Sequence, residues 1–222
     1  MPTIAIASPK GGAGKSTTAV ILGTEIARAG VSVTMLDCDP NRSLSLWASR
    51  GTVPDRIQVF GDITESDIIK TIKQHDRDGQ IVIVDLEGVA SRLMSRAISQ
   101  ADLVVTPMRA TTLDAMVGAR TIALIQEEEE ALGREIPFSI VFTMTKAVRS
   151  KQHSGIYASL REQGVDIIEP ELMERAAFSS FFEFGGDLAS MPAQGNIEKA
   201  QENAGRFAQA VMNRLLKGLA RD

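Results

Sequence analysis

Ten residues near the start of the chain carry the most specific chemistry in the sequence: Ser8-Pro9-Lys10-Gly11-Gly12-Ala13-Gly14-Lys15-Ser16-Thr17. They follow an apolar run, Ile4-Ala5-Ile6-Ala7, and lead into a helical pattern. A strand, a run of small residues and a helix start are the parts of a phosphate-binding loop. Small residues let backbone N–H groups turn inward around a polyphosphate, and the helix N-terminus adds a favourable dipole. In such a loop Lys15 reaches the β- and γ-phosphates and the Ser16 hydroxyl binds Mg²⁺. Gly11, Gly12, Ala13, Gly14 and Thr17 complete the cradle. The strict pattern G-x-x-x-x-G-K-[S/T] fails by one residue, because Pro9 stands where its first glycine belongs. A second lysine, Lys10, opens the loop instead.

Carboxylates at strand ends are the second signal, since open parallel sheets bind ligands at the carboxyl ends of their strands. One predicted strand ends Met35-Leu36-Asp37-Cys38-Asp39-Pro40-Asn41, and another ends Ile81-Val82-Ile83-Val84-Asp85-Leu86-Glu87-Gly88. A carboxylate there can hold Mg²⁺ or its waters, or orient an attacking water. Asp85 closes an apolar strand downstream of a phosphate loop and fits the metal role. Asp37 and Asp39 read two ways: as part of the same site, or as a strand end and helix cap with Pro40 turning the chain.

These residues need a scaffold, and the chain alternates strand-like and helix-like segments. That pattern predicts an α/β fold with a mostly parallel central sheet and helices on both faces. Strands are expected at 3–8, 31–37, 57–60, 81–84, 103–106 and 138–143, with a weaker one at 165–168. Helices are expected at 15–29, 43–49, 64–75, 112–132, 154–163 and 196–219. Asp67 is a weak stand-in for the Glu or Gln of a capping box begun by Thr64. The 222 residues suffice for one domain with a sizeable core. One cysteine, Cys38, excludes an intrachain disulfide and a cysteine cluster within one chain. Met1-Pro2-Thr3 leads straight into a strand, no apolar run spans a bilayer, and the chain reads as cytosolic. A net charge of −4 argues against coating nucleic acid through overall charge, while leaving room for a local basic patch. The acidic run Glu127–Glu130 reads as a solvated helix face.

Three motifs now stand together: Lys10-Gly-Gly-Ala-Gly-Lys15-Ser16-Thr17, Asp37-Cys-Asp39-Pro40-Asn41 and Ile81-Val-Ile-Val-Asp85. The chain resembles the ParA/MinD family of deviant Walker ATPases, and its early phosphate loop is most similar to small plasmid partition ParA proteins. The resemblance implies a P-loop ATPase with ATP and Mg²⁺ as ligands. Lys10 matches the lysine that crosses a nucleotide-sandwich dimer, and Lys15 the lysine that acts within its own subunit. Asp39 matches the aspartate that helps activate the hydrolytic water; Ser16, Asp37, Asp39 and Asp85 form the expected magnesium set. Thr106-Pro107-Met108-Arg109-Ala110-Thr111-Thr112-Leu113-Asp114 resembles a segment near the dimer surface. Thr145 and Lys146 fall near the adenine, as does the turn Met191-Pro192-Ala193. Asn41 departs from the family's usual Gln, and Leu86-Glu87-Gly88 from its small turn. Turnover should be slow, because the phosphate loop supplies no obvious arginine finger in cis.

The resemblance further implies an ATP-dependent homodimer that binds nucleoid DNA without sequence preference, in the cytoplasm, and responds to a ParB-like centromere-binding partner. Basic residues for DNA are Arg149, Lys151, Arg206, Arg214 and Lys217, with Lys146, Arg175 and Arg221 as further candidates. A MinD-like membrane-associated ATPase is the main alternative. Phe207, Val211, Leu215 and Leu219 recur at four-residue spacing, but they equally suit a helix packed on its own domain, and no stable membrane association is expected. An iron–sulfur relative needs paired cysteines, and a tyrosine kinase of this superfamily needs a tyrosine-rich tail; Cys38 and Tyr157 are each single. His75 and His153 suggest no metal site, Cys38 reads as a small buried residue, and Trp47 as packing for a short helix. Met173, Phe178, Phe181, Phe182 and Phe184 read as core.

Overall fold

The computed structural model describes residues 2–75, 79–191 and 196–220. Strands β1 (Thr3–Ile6), β2 (Ser32–Cys38), β3 (Ile57–Phe60), β4 (Gln80–Leu86), β5 (Leu103–Met108), β6 (Phe138–Thr145) and β7 (Leu172–Met173) form one sheet of order β3-β2-β4-β1-β5-β6-β7. Every pairing is parallel. Such a sheet must be covered on both faces, which is why its strands are continuous apolar runs. The pleat sorts them: Ile4, Ile6, Ile81 and Ile83 face one core, while Ala5, Ala7, Val82 and Val84 face the other.

Helices α1 (Lys15–Arg28), α2 (Ser43–Arg50), α7 (Ala176–Ser179), α8 (Phe181–Phe184) and α9 (Ile197–Leu219) supply residues to the first core. Helices α3 (Ile68–Gln74), α4 (Arg92–Ile98) and α5 (Thr112–Leu132) cover the second, and α6 (Lys151–Glu162) packs Leu160 against Ile140 and Phe142. Phe207, Val211 and Leu215 of α9 are fully buried in the chain's own core, while Leu219, the last of that stripe, is exposed. Trp47 is also fully buried, and its indole N–H donates to the Gly186 carbonyl at 2.8 Å, tying α2 to the segment after α8. No described helix is long and apolar enough to cross a membrane.

Some boundaries differ from expectation for identifiable reasons. The helix expected from 64 begins at Ile68, and the preceding turn is closed by the Asp67 carboxylate accepting from the Thr64 N–H at 2.7 Å. Helix α4 has no counterpart in the sequence reading; it is short, and Ser91 caps it by accepting from the Met94 N–H. The strand expected at 165–168 is reduced to a bridge between Ile140 and Ile167. Pro170 then interrupts, having no N–H to donate, and pairing resumes as β7.

Candidate functional site

The site lies at the carboxyl end of β1, flanked by the ends of β4 and β5, the neighbours of β1 in the sheet. The loop after β1 enters α1 through Gly14, whose left-handed φ of 87° suits glycine, and no side chain caps the helix. The first-turn N–H groups are therefore not taken up by a side-chain cap, the arrangement that suits an anion at a helix N-terminus. The Thr143 hydroxyl of β6 fixes the loop from below by donating to the Ala13 carbonyl at 2.8 Å. Gly88 fixes it from the β4 side. A Cβ there would lie 2.8 Å from the Gly11 nitrogen and 3.1 Å from the Lys10 carbonyl carbon, so only glycine lets the two loops touch.

Lys15 is buried at 5% exposure, and its Nζ donates to the Lys10 carbonyl at 3.3 Å. Burial holds its pKa below the usual lysine range, against the pull of Asp85, Asp39 and Glu87. Asp85 has no exposed surface, and among the described residues neither carboxylate oxygen has a hydrogen-bond partner of good geometry, although the Ser16 hydroxyl lies nearby. Burial pushes its pKa up to about 7; the Ser16 hydroxyl opposes the rise, Asp37 adds to it, Lys15 opposes and Asp39 adds. A buried carboxylate without a partner is costly unless a cation joins it. The chemistry of this donor set therefore fits a hydrated divalent cation. Among the described residues no three His, Cys, Asp or Glu side chains converge as a protein-only cage. Mg²⁺ does not need one, because it keeps waters and takes substrate phosphates as ligands.

The aspartates after β2 have local work. One Asp37 oxygen accepts from the N–H and the hydroxyl of Ser45, both at 2.8 Å, and the other from the Asp39 N–H at 3.4 Å. Asp37 thus caps α2 from outside, where Arg42 at the N-cap has no capping side chain. Asp39 accepts from the backbone and side-chain amides of Asn41, both at 2.8 Å, which gives Asn41 a defined role.

On the β5 side, Thr111 caps α5 and bonds Asp114 through its hydroxyl. Asp114, 3% exposed, in turn pairs with the Lys10 ammonium at 2.9 Å. Lys10 is therefore held by its own subunit. Arg109, in the same loop, stands against Gly12.

Other expected residues are dispersed. Thr143 and Met144, rather than Thr145 and Lys146, line a small hollow beside Gly14 and Thr17. Met144 takes a left-handed φ of 52° and the β6–β7 register shifts there, which separates Thr143 from Thr145. Thr145 and Lys146 instead line a cavity of about 550 Å³ with Arg149, Arg175 and Arg206. Arg149 pairs with Glu171 at 2.7 Å and covers the Tyr157 ring; among the described residues Arg206 makes only a loose 3.8 Å contact to Glu202. Arg214 pairs with Asp166 and donates to the Ile167 carbonyl at 3.0 Å, so it is occupied in joining α9 to the sheet edge. Lys151 and Lys217 are exposed and outside that cavity's lining. Arg221 and the Pro192-Ala193 turn lie outside the described residues. Cys38, Phe178 and Phe181 are buried, and Phe184 is exposed.

Comparison with known proteins agrees with this geometry. Residues 4–188 match the family model described as CobQ/CobB/MinD/ParA nucleotide binding domain. The chain is 61% identical to Protein ParA of Rhizobium radiobacter over 221 residues, covering 99% of this chain and 100% of that one. Among solved structures, MinD from Aquifex aeolicus superposes with a TM-score of 0.74 at 18% identity, covering 96% of this chain and 97% of its own. Cobyrinic acid a,c-diamide synthase from Mycobacterium smegmatis, solved with ADP and magnesium, gives 0.73 at 15% identity, with 98% and 96% covered. The phosphate loop, the buried Asp85 and the matched length together place this chain in the CobQ/CobB/MinD/ParA family of nucleotide-binding domains, on its ParA side.

Proposed function

We propose that residues 1–222 form one ATPase domain that hydrolyses MgATP slowly and partitions DNA. The observation that carries the nucleotide part is the buried, unpartnered Asp85 carboxylate at the neighbouring strand end to a glycine loop holding buried Lys15. The loop N–H groups, the α1 N-terminus and Lys15 bind the phosphates, with Thr17, Thr143 and Met144 towards the base. Ser16 and Asp85 hold the hydrated metal, with Asp37 keeping the β2 loop in shape beside it. Magnesium, when bound, neutralises phosphate charge and orients the terminal phosphate for in-line attack. Asp39 orients the attacking water.

Lys10 leaves Asp114 and reaches the partner's phosphates, which couples dimerisation to the γ-phosphate. The ATP dimer binds DNA without sequence preference through Lys146, Arg149, Lys151 and Arg206, and two weak patches in one dimer gain through avidity. A centromere-binding partner then accelerates turnover, and the protein resides on the nucleoid. Burial of Phe207, Val211 and Leu215 favours the partition reading over the membrane one, and leaves only Leu216 and Leu219 exposed among the leucines of the α9 end.

The test is DNA co-sedimentation with ATP, ADP or no nucleotide at two salt concentrations, with Lys15→Ala alongside. Salt-sensitive binding that requires ATP and is lost in the variant is expected. Equal retention in all nucleotide states, or none in any, sinks the DNA-switch reading.

A further inference from the structure

The two lysines of the phosphate loop are both engaged, Lys15 with the Lys10 carbonyl and Lys10 with Asp114. Arg109 is different. It leaves the carboxyl end of β5, next to β1, and its Nη2 lies 3.7 Å from the position a Cβ on Gly12 would take. Its side chain is exposed, and no described residue holds the guanidinium by a hydrogen bond or ion pair. Its backbone is fixed on both sides: Met108 before it is buried, and its own carbonyl accepts from the Thr111 N–H at 2.8 Å. Thr111 caps α5 and bonds Asp114. A long cation with a rigid root and an uncommitted head thus stands over the phosphate loop. An arginine head is planar, permanently charged and matched to two phosphate oxygens at once.

We infer that Arg109 is a catalytic residue acting in cis: its guanidinium contacts the terminal phosphate of the nucleotide bound in its own subunit. This rests on the loop binding a nucleoside triphosphate. In the step concerned, a water oxygen forms a bond to the γ-phosphorus and the bond from that phosphorus to the β–γ bridging oxygen breaks. The electron pair leaves on ADP, and the proton released by the water ends on inorganic phosphate or solvent. Arg109 neither gives nor takes a proton. It stabilises charge on the transferring and leaving oxygens, where a positioned arginine is most effective. The arginine contribution missing from the loop itself is supplied by the adjacent strand end.

The test compares wild type, Arg109→Ala, Arg109→Lys and Lys15→Ala. Single-turnover MgATP hydrolysis reports chemistry, and titration with a fluorescent non-hydrolysable ATP analogue reports binding. Arg109→Ala should lower the rate at least about 10-fold while analogue affinity stays within about 5-fold, a split that a lost structural contact does not produce. Arg109→Lys should recover little, since an ammonium lacks the fork. Mixing Arg109→Ala with Lys15→Ala should restore no activity, because neither subunit then has a complete site; recovery would overturn the cis assignment. A wild-type rate in Arg109→Ala, with Lys15→Ala inactive, overturns Arg109 and leaves the ATPase reading intact. A wild-type chain that neither binds the analogue nor hydrolyses ATP overturns both.

Discussion

Asp114→Asn should make ATP-driven dimerisation easier, because it weakens a contact that competes with the dimer. The Lys10 ammonium lies 2.9 Å from an Asp114 oxygen, with the lysine about one-third exposed and the aspartate nearly buried. A fully exposed pair is worth well under 1 kcal/mol, and partial burial of one partner raises this to about 1 kcal/mol after solvent screening. Each subunit gives up one such pair when Lys10 crosses to its partner, so a dimer gives up two. About 2 kcal/mol corresponds to roughly a 30-fold tighter dimer in the variant. Asn keeps an oxygen for the Thr111 hydroxyl, so the α5 cap should persist and the thermal midpoint should move little. Sedimentation velocity over a protein concentration series, with a non-hydrolysable ATP analogue and Mg²⁺, reads the dimer midpoint directly; Lys10→Ala serves as the variant that cannot dimerise. A midpoint that is unchanged, or shifted to higher protein concentration, refutes the competition between Asp114 and the partner for Lys10.

Two further outcomes follow from the packing. Gly88→Ala places a methyl 2.8 Å from the Gly11 nitrogen, between two backbones that cannot yield like side chains. Overpacking of this kind costs about 1–3 kcal/mol, so nucleotide affinity measured by calorimetry should fall between about 5-fold and 150-fold; wild-type affinity would show that the loops are not in contact. The second concerns Asp166, whose partial burial works against it but whose bonds to Arg214 and Ser139, with the nearby charge of Arg161, hold its pKa below the ordinary carboxylate value. A depressed folded pKa means stability present above the unfolded value, near 3.9, and lost as pH falls through the folded one. Urea midpoints for wild type should therefore drop more steeply than those of Asp166→Asn below about pH 4, and parallel curves would contradict the linkage.

Strand and helix types were mostly legible because each strand is a run of apolar residues and each long helix has an apolar period. Phe138 onward and Ile197–Leu219 are cases in which apolar pattern and burial agree. What was missed is short or set by contacts elsewhere. Seven residues of α4 carry too little periodicity to stand out, and β7 is a two-residue pairing resumed after Pro170. Nothing local in the sequence says that Thr143 bonds the Ala13 carbonyl of the phosphate loop, or that the left-handed turn at Met144 sets Thr145 apart from it. Arg214 reads as a free surface cation in the sequence, yet Asp166, remote in sequence, occupies it.

The sequence by itself determined the phosphate loop, the strand-end aspartates and the alternation of strands with helices. These depend on local spacing: glycines that admit left-handed backbone, a lysine at a helix start, apolar runs that end in a carboxylate. Only the tertiary structure decided that Asp85 is buried without a partner, that Gly88 abuts Gly11, that Asp114 holds Lys10 and that Arg109 faces Gly12. Those contacts exist because the order β4-β1-β5 sets three strand ends side by side, a neighbourhood formed by hydrogen-bond ladders between segments remote in sequence.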